Sequence, residues 1–163
     1  MRTFQITGLR SSTISNLRKI IDRMKDARLV EQKFYSPEIS HCACEIFSIQ
    51  DLILLSSLAA GKVVISVDYI IRSGRRGCWL SEEEYKFKAF NSTVRPLSGI
   101  SIYLLFDDRV LMEHYSRLSR AAGAVCCKMN ASHHSVETFQ VAFVKIYKYF
   151  HIRYRSSFKF CMY

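Results

Sequence analysis

The chain has 163 residues, of which 49% are hydrophobic, so it can bury the core of one full domain or of two small ones. It contains only six glycines and two prolines, a composition that excludes a disordered or linker-like chain. The formal net charge of +10 favours anionic partners, whether nucleic acid, phosphopeptides or acidic proteins, and does not choose among them.

The apolar runs of the chain are short. The longest, residues 52–60 and 63–71, are interrupted by polar side chains and do not reach the roughly 18–20 residues of a membrane helix. The first residues, MRTFQITGLRSS, contain no apolar signal region. We therefore expect no membrane partner, and an intracellular chain whose six cysteines are reduced.

Strand and helix patterns alternate in the first half of the chain. RTFQITG alternates apolar and polar residues and closes on Thr7 and Gly8, which predicts a short strand and a turn. Apolar residues at helical spacing follow, with Ser11 or Ser12 available as the N-cap. The further predicted elements are strands at 28–35 and 40–47, a helix over 50–60 with Gly61 as its C-cap, a strand at 63–66 and a short helix at 67–72 ended by Gly74. This order predicts an α/β fold with a small four-stranded parallel sheet flanked by helices.

A second, shorter α/β pattern follows residues 88–96. It consists of a strand within 98–106, a helix within 107–124 that begins near Asp107 and Asp108 and ends near Gly123, and strands at 124–129 and 139–145. The order of the first unit therefore begins again, without a second closing pair of helices. We predict a partial second α/β repeat.

Five stretches of the first unit occur in the same order as the motifs of one known family. They are FQITGL, SH at 40–41, LAAGKVVIS, VDYII and GCWLSEEEYKF. Together they resemble the BRCT family, the phosphopeptide- and protein-binding modules of DNA-damage proteins. The resemblance covers residues 4–87, and its structural signature falls on Gly61, Tyr69 and Trp79. Tyr69 stands where the family usually has tryptophan, and it keeps an aromatic anchor for the core.

The resemblance implies a plan for the whole chain. Residues 1–88 form a first BRCT repeat, 89–98 a linker, 99–145 a partial second BRCT repeat and 146–163 a basic and aromatic tail of unassigned structure. The segment around Trp79 is expected to fold back against the last helix of the first repeat and to seal the edge of the sheet as a structural lid. Within the family, the pattern is most similar to the N-terminal BRCT pair of the localisation factor of the five/six-type structural-maintenance-of-chromosomes complex.

A phosphate site is predicted where the first strand meets the first helix. The Thr7 hydroxyl, a free backbone N–H at Gly8 and the positive end of the helix dipole converge there. In phosphate-binding BRCT repeats the same Thr/Ser-Gly pair binds phosphoserine or phosphothreonine, together with a lysine from the second helix. The matching position here is Ile53, and Arg10 is the predicted replacement because its guanidinium can grip phosphate in two places. The alternative is that Thr7 only caps local backbone.

Two basic clusters offer a different function, direct DNA binding. Cations interleaved with aromatic side chains can track single-stranded nucleic acid by charge and stacking. The alternatives to DNA binding are that the predicted basic loop is only a solvated face and that the tail is poorly packed. Lys62 is expected to be a solvated lysine at the sheet edge. The candidate nucleic-acid contacts are Arg72, Arg75 and Arg76 in a predicted basic loop, and Lys148, Arg153 and Arg155 in the tail.

Catalytic and metal chemistry find little support in the sequence. There is no glycine-rich dinucleotide loop, no P-loop and no nucleophile elbow, and we expect no enzyme, no cofactor and no small-molecule substrate. A metal site from His41, Cys42, Cys44 and His133 or His134 lacks the usual ligand spacing, so we predict buried thiols and no metal. His41 and Cys44 should also lie on opposite faces of their strand.

These observations lead to one functional hypothesis and one alternative. The first is a non-catalytic nuclear adaptor that binds a phosphorylated DNA-repair or chromatin protein. The alternative is direct DNA binding through the basic loop and the tail.

Overall fold

The computed structural model describes residues 1–48, 50–87, 95–104 and 108–127. The predicted strand at 139–145, the tail with Lys148, Arg153 and Arg155, and His133 and His134 lie outside these residues. Among the described helices, none has the length and apolar run needed to cross a membrane. The strands are β1 (Arg2–Ile6), β2 (Ala27–Leu29), β3 (His41–Cys44), β4 (Val63–Ser66), β5 (Ser101–Tyr103) and β6 (Val125–Cys127), and the helices are α1 (Ser11–Arg23), α2 (Leu52–Ala59), α3 (Asp68–Arg76) and α4 (Arg109–Ala121).

The first repeat is built on the predicted four-stranded sheet. Its strands run in the order β2-β1-β3-β4, and every pairing is parallel. Successive side chains of a strand point to opposite faces, and the core divides accordingly. Phe4 and Ala43 face the layer of α1 and α3, whereas Cys42 and Cys44 face α2. The fold class predicted from the sequence is confirmed.

The last helix of the first repeat is longer than predicted. Gly74 does not end it; α3 continues to Arg76, and Gly77 in the left-handed region (φ +70°) terminates it. A Cβ at position 74 would overlap Cγ2 of Ile20, so the glycine allows α1 and α3 to approach closely. The predicted basic loop is therefore wrong: Arg72, Arg75 and Arg76 are exposed residues of a helix.

Two other parts of the first repeat differ from the prediction. β2 ends at Leu29, short of the predicted 28–35, and the buried Gln5 amide binds the backbone of the loop that follows. Its Nε2 donates to the carbonyls of Gln32 (3.2 Å) and Phe34 (2.8 Å), and its Oε1 accepts from the Ser36 N–H (3.1 Å). These bonds tie residues 32–36 to the Gln5 side chain of β1.

The outer edge of the sheet is covered by residues 85–87, not by Trp79. The Ser66 N–H donates to the Tyr85 carbonyl and the Phe87 N–H to the Val64 carbonyl, so this segment runs antiparallel along β4. Trp79 instead stacks on Phe4 and Tyr69 over the α1/α3 face.

The described part of the second repeat consists of β5, α4 and β6. β5 and β6 pair in parallel, and α4 is N-capped by Asp108, whose carboxylate accepts from two first-turn amides. α4 packs against α2. Leu97, within the predicted linker, is fully buried in a core that also contains Leu54 and Leu118, so one core spans both repeats.

Candidate functional site

Thr7 and Gly8 follow the carboxyl end of β1 and lie between β1 and α1. The Thr7 N–H donates to the Ala43 carbonyl, which extends the pairing of β1 with β3 by one residue. Gly8 takes a left-handed conformation (φ +73°) that turns the chain toward α1, a conformation glycine adopts without steric cost. The Gly8 N–H donates to no described residue.

The N-terminus of α1 is open at this point. Its N-cap is Arg10, which makes no side-chain cap, and the first turn contains no acidic residue. The predicted caps Ser11 and Ser12 are instead the first two helical residues, so their N–H groups have no acceptor within the helix. Arg10 itself is exposed and forms no ion pair with a described residue. This end of the helix is therefore electropositive.

Asp51, which the sequence analysis missed, occupies the other side of the site. It is the N-cap of α2: its Oδ1 accepts from the Ile53 N–H (3.0 Å) and the Leu54 N–H (3.1 Å). Its Oδ2 accepts the Thr7 hydroxyl at 2.7 Å. A Cβ at Gly8 would lie 3.8 Å from the same oxygen. The carboxylate thus already binds the hydroxyl that the predicted phosphate would need.

The structure brings Thr7, Gly8 and Asp51 together, with Ile53 immediately beyond on α2. An aspartate directly before the apolar stretch LILL is an N-cap signal that the sequence contains. That signal predicts the bonds to the helix amides. It does not predict the bond to Thr7, which is 44 residues away in the chain.

A second polar cluster is centred on His41. His41 is buried; its Nε2 lies 3.1 Å from Glu82 Oε1 and its Nδ1 2.7 Å from the Ser40 hydroxyl. A carboxylate only accepts, so Nε2 carries the hydrogen and Nδ1 accepts from Ser40. Burial lowers the pKa of His41 despite the neighbouring carboxylate. Burial raises the pKa of Glu82, but the hydrogen bond from His41 and the nearby cations outweigh it and leave this pKa below its ordinary value.

The signature residues of the resemblance hold the first repeat together. Gly61 (φ +69°) ends α2 with two backbone bonds, from its own N–H to Leu58 and from the Lys62 N–H to Ser57. Tyr69 is fully buried. Trp79 stacks on it at 5.5 Å between ring centroids and donates its Nε1–H to the Lys25 carbonyl.

The sheet separates His41 from the two cysteines of the candidate metal set. His41 lies on the α1/α3 face against Phe4, and Cys42 and Cys44 lie in the core on the α2 face. Burial raises the pKa of both thiols to about 12, so they are protonated at neutral pH. Within the described residues, no group of three ligating side chains could hold a metal ion.

The four-stranded parallel sheet, the helices on both of its faces and the second α/β unit packed on α2 define a BRCT-like fold. The sequence itself matches no protein-family model and no curated protein.

Three solved structures show this likeness. The BRCT5–BRCT6 domains of S. pombe Brc1 give a TM-score of 0.59 at 15% identity, over 79% of this chain and 66% of that one. Residues 820–1070 of yeast Rtt107 give 0.54 at 10% identity, over 84% and 65%. The S. pombe Nbs1–Ctp1 complex gives 0.53 at 12% identity, over 84% and 46%. The chain therefore covers no more than about two thirds of each.

Proposed function

We propose that the chain is a non-catalytic nuclear adaptor that binds a protein partner in the DNA-damage response or in chromosome maintenance. The BRCT-like tandem arrangement supports this proposal, together with the absence of a catalytic motif in the sequence. Its finer form places the chain beside the N-terminal BRCT pair of the localisation factor of the five/six-type complex. That placement rests on the DYII and WL motifs.

The proposed binding site is Thr7, Gly8 and Arg10, and its ligand is a phosphoserine or phosphothreonine of the partner. The observation that carries this proposal is the meeting of the Thr7 hydroxyl, the left-handed Gly8 and the uncapped N-terminus of α1. Phosphate would accept from the hydroxyl and from the open amides, and Arg10 would reach it from the adjoining loop.

Asp51 sets the strength of this interaction. A hydroxyl donates one hydrogen bond at a time, so phosphate has to replace the Asp51 carboxylate as the acceptor of Thr7. The displaced carboxylate keeps its bonds to the α2 amides and stays beside the phosphate as a like charge. Asp51 therefore weakens phosphate binding, and it favours a partner whose other contacts supply most of the affinity.

Binding of a phosphopeptide and its unphosphorylated counterpart tests the proposal. The peptide is selected from a phosphopeptide library on the full chain, and both forms are titrated by fluorescence anisotropy. Thr7→Val should remove most of the preference for phosphate, about tenfold, since a hydrogen bond to a charged group contributes about 1.5–3 kcal/mol. Asp51→Asn keeps the cap and removes the charge, so it should strengthen phosphopeptide binding severalfold. Asp22→Asn, the same change on an exposed part of α1, is the matched control.

Equal affinities of the two peptides for the wild-type chain would end the phosphate part of the proposal. An equal gain in Asp51→Asn and Asp22→Asn would show a general charge effect instead of a local one. In either case the adaptor function would depend on contacts outside the Thr7 site.

DNA binding remains the second candidate because of one observation on α3. Arg72, Arg75 and Arg76 stand at helical spacing on one side of the helix, and all three are exposed. Replacing them together by glutamine should abolish binding of a single-stranded oligonucleotide if this face carries the function. Unchanged oligonucleotide binding would exclude this face of α3 as the DNA-binding surface.

A further inference from the structure

A second anion site is suggested by a cleft between the two repeats. The cleft has a volume of about 380 Å³ and is lined by side chains from four segments of the chain. We call it the basic cleft; its charged residues are Lys62, Arg95, Glu113, Arg117 and Arg120.

The basic cleft lies at the opposite end of the sheet from Thr7. Lys62 immediately precedes β4 and so stands at the amino end of the parallel strands, whereas Thr7 follows the carboxyl end of β1. Ala60, at the C-terminal end of α2, lines the cleft, and Asp51 caps the other end of that helix. The eight residues of α2 separate the two sites by about 12 Å. One ligand group cannot occupy both.

Two of the cations are already fixed by the protein. Arg117 donates from Nε to Glu113 (2.6 Å) and from Nη1 to the Tyr35 carbonyl (2.8 Å), and its guanidinium lies over the Phe34 ring. Lys62 donates from Nζ to the Pro37 carbonyl at 3.0 Å. These contacts use part of each cation's donor capacity and hold both charges at the wall of the cleft.

The other two cations have no such partner among the residues that the structure describes. Arg95 and Arg120 are exposed, and neither forms an ion pair or a side-chain hydrogen bond with a described residue. Among the described residues that line the cleft, four cations and one carboxylate leave three positive charges in excess. The C-terminal ends of α2 and α4 also face it, but a helix end supplies only about half a negative charge. The cleft therefore stays electropositive.

The shape of the cleft favours a single side chain over a nucleic-acid strand. Nucleic-acid grooves place cations in a row along a backbone, whereas these four converge on one small space. Tyr35, Pro37 and two alanines complete the wall and can contact the apolar stem of a bound side chain. The guanidinium groups of Arg95 and Arg120 match the bidentate geometry of a carboxylate or a phosphate.

We propose that the basic cleft binds an anionic side chain, carboxylate or phosphate, on an acidic segment of a protein partner. It is a second anchoring point, independent of the Thr7 site, and it requires both repeats because Arg117 and Arg120 come from α4 and Lys62 from the first repeat. A partner that reaches both ends of α2 would gain affinity from both contacts.

The test uses the full chain and a fluorescent peptide of alternating glutamate and glycine at physiological ionic strength. Arg95→Gln/Arg120→Gln should weaken binding about tenfold or more, because two charge-assisted contacts are lost. The control, Lys19→Gln/Arg23→Gln, removes the same charge from exposed positions on α1 and should change affinity by less than about twofold. Glu113→Gln removes the only carboxylate among the described residues that line the cleft and should strengthen binding, a gain that partial unfolding cannot produce.

Further arms identify the ligand group and separate this site from the Thr7 site. A peptide with phosphoserine in place of the central glutamates shows which anion is preferred, and Thr7→Val should leave binding of the glutamate peptide unchanged. Equal weakening by the two double variants would overturn the proposal, as would equal binding of a glutamine-glycine peptide. Binding of a short oligonucleotide but of neither acidic peptide would also overturn it, since the occupant would then be nucleic acid.

Discussion

Removal of the Trp79 side chain tests whether this residue is structural. In the wild-type chain the indole stacks on Phe4 at 5.3 Å and on Tyr69 at 5.5 Å between ring centroids, and the Arg2 guanidinium lies 5.2 Å from its ring. Its Nε1–H also donates to the Lys25 carbonyl at 3.0 Å. Trp79→Ala removes all four interactions from a half-buried position.

The expected cost follows from these contacts. Each aromatic pair contributes about 0.5–1.5 kcal/mol, the exposed cation–π contact about 0.5–1 kcal/mol and the hydrogen bond about 1 kcal/mol. A loss of about 3 kcal/mol is consistent with truncation of large aromatic residues in cores. For a chain of this size each kcal/mol shifts the melting temperature by about 2–4 °C, so Trp79→Ala should lower it by about 6–12 °C.

Thermal unfolding followed by far-ultraviolet circular dichroism measures the shift. Trp79→Phe is the matched variant: it retains an aromatic ring for stacking and loses the hydrogen bond, so its loss should be closer to about 1 kcal/mol. Ligand affinity is then measured well below the melting temperature. A shift of less than about 2 °C for Trp79→Ala would refute the structural role, and so would a loss of peptide affinity in the folded variant.

Three further changes test the packing and the polar clusters of the first repeat. Gly74→Ala should destabilise the chain by about 1–2 kcal/mol, although alanine is the better helix former by about 1 kcal/mol, because its Cβ would overlap Ile20 Cγ2 and force α1 away. Stability should decrease as the pH falls below about 6.5. The pKa values of His41 and Glu82 are both lower in the folded chain than in the unfolded chain, so the unfolded chain binds more protons. His41→Gln should flatten this dependence between neutral and mildly acidic pH. Gln5→Leu should cost about 2–4 kcal/mol and speed amide hydrogen exchange in residues 32–36, because it leaves buried backbone groups without their partners.

Each of these expectations has an outcome that would contradict it. A stabilised Gly74→Ala variant would mean that α1 and α3 do not approach closely at this position, whereas rescue by Ile20→Ala would support the contact. If the stability of His41→Gln depended on pH in the same way as that of the wild type, the acid-sensitive groups would lie elsewhere in the chain. Unchanged exchange of the Ser36 amide in Gln5→Leu would show that the loop is held by other bonds.

Local signals in the sequence predicted most of the fold. Apolar periodicity and turn residues are properties of short segments, so the strand and helix order of the first repeat followed from them and is confirmed. Gly61 at the end of α2 and the cap at Asp108 are likewise signals that depend on short segments of the sequence. The errors occurred where a distant contact overrode a local signal. Gly74 reads as a helix end in the sequence, but Ile20 requires a glycine there within the helix.

The sequence by itself determined that the chain is a basic α/β protein and that Thr7 and Gly8 end a strand before a helix. Only the tertiary structure placed Asp51 on the Thr7 hydroxyl, because a hydrogen bond between residues 44 positions apart leaves no local pattern. The basic cleft has the same origin: Lys62, Arg95 and Arg120 are scattered cations along the chain, and they meet only where α4 packs against α2. Helix caps and periodicity depend on neighbours in sequence, whereas both sites depend on the packing of elements that the sequence keeps far apart.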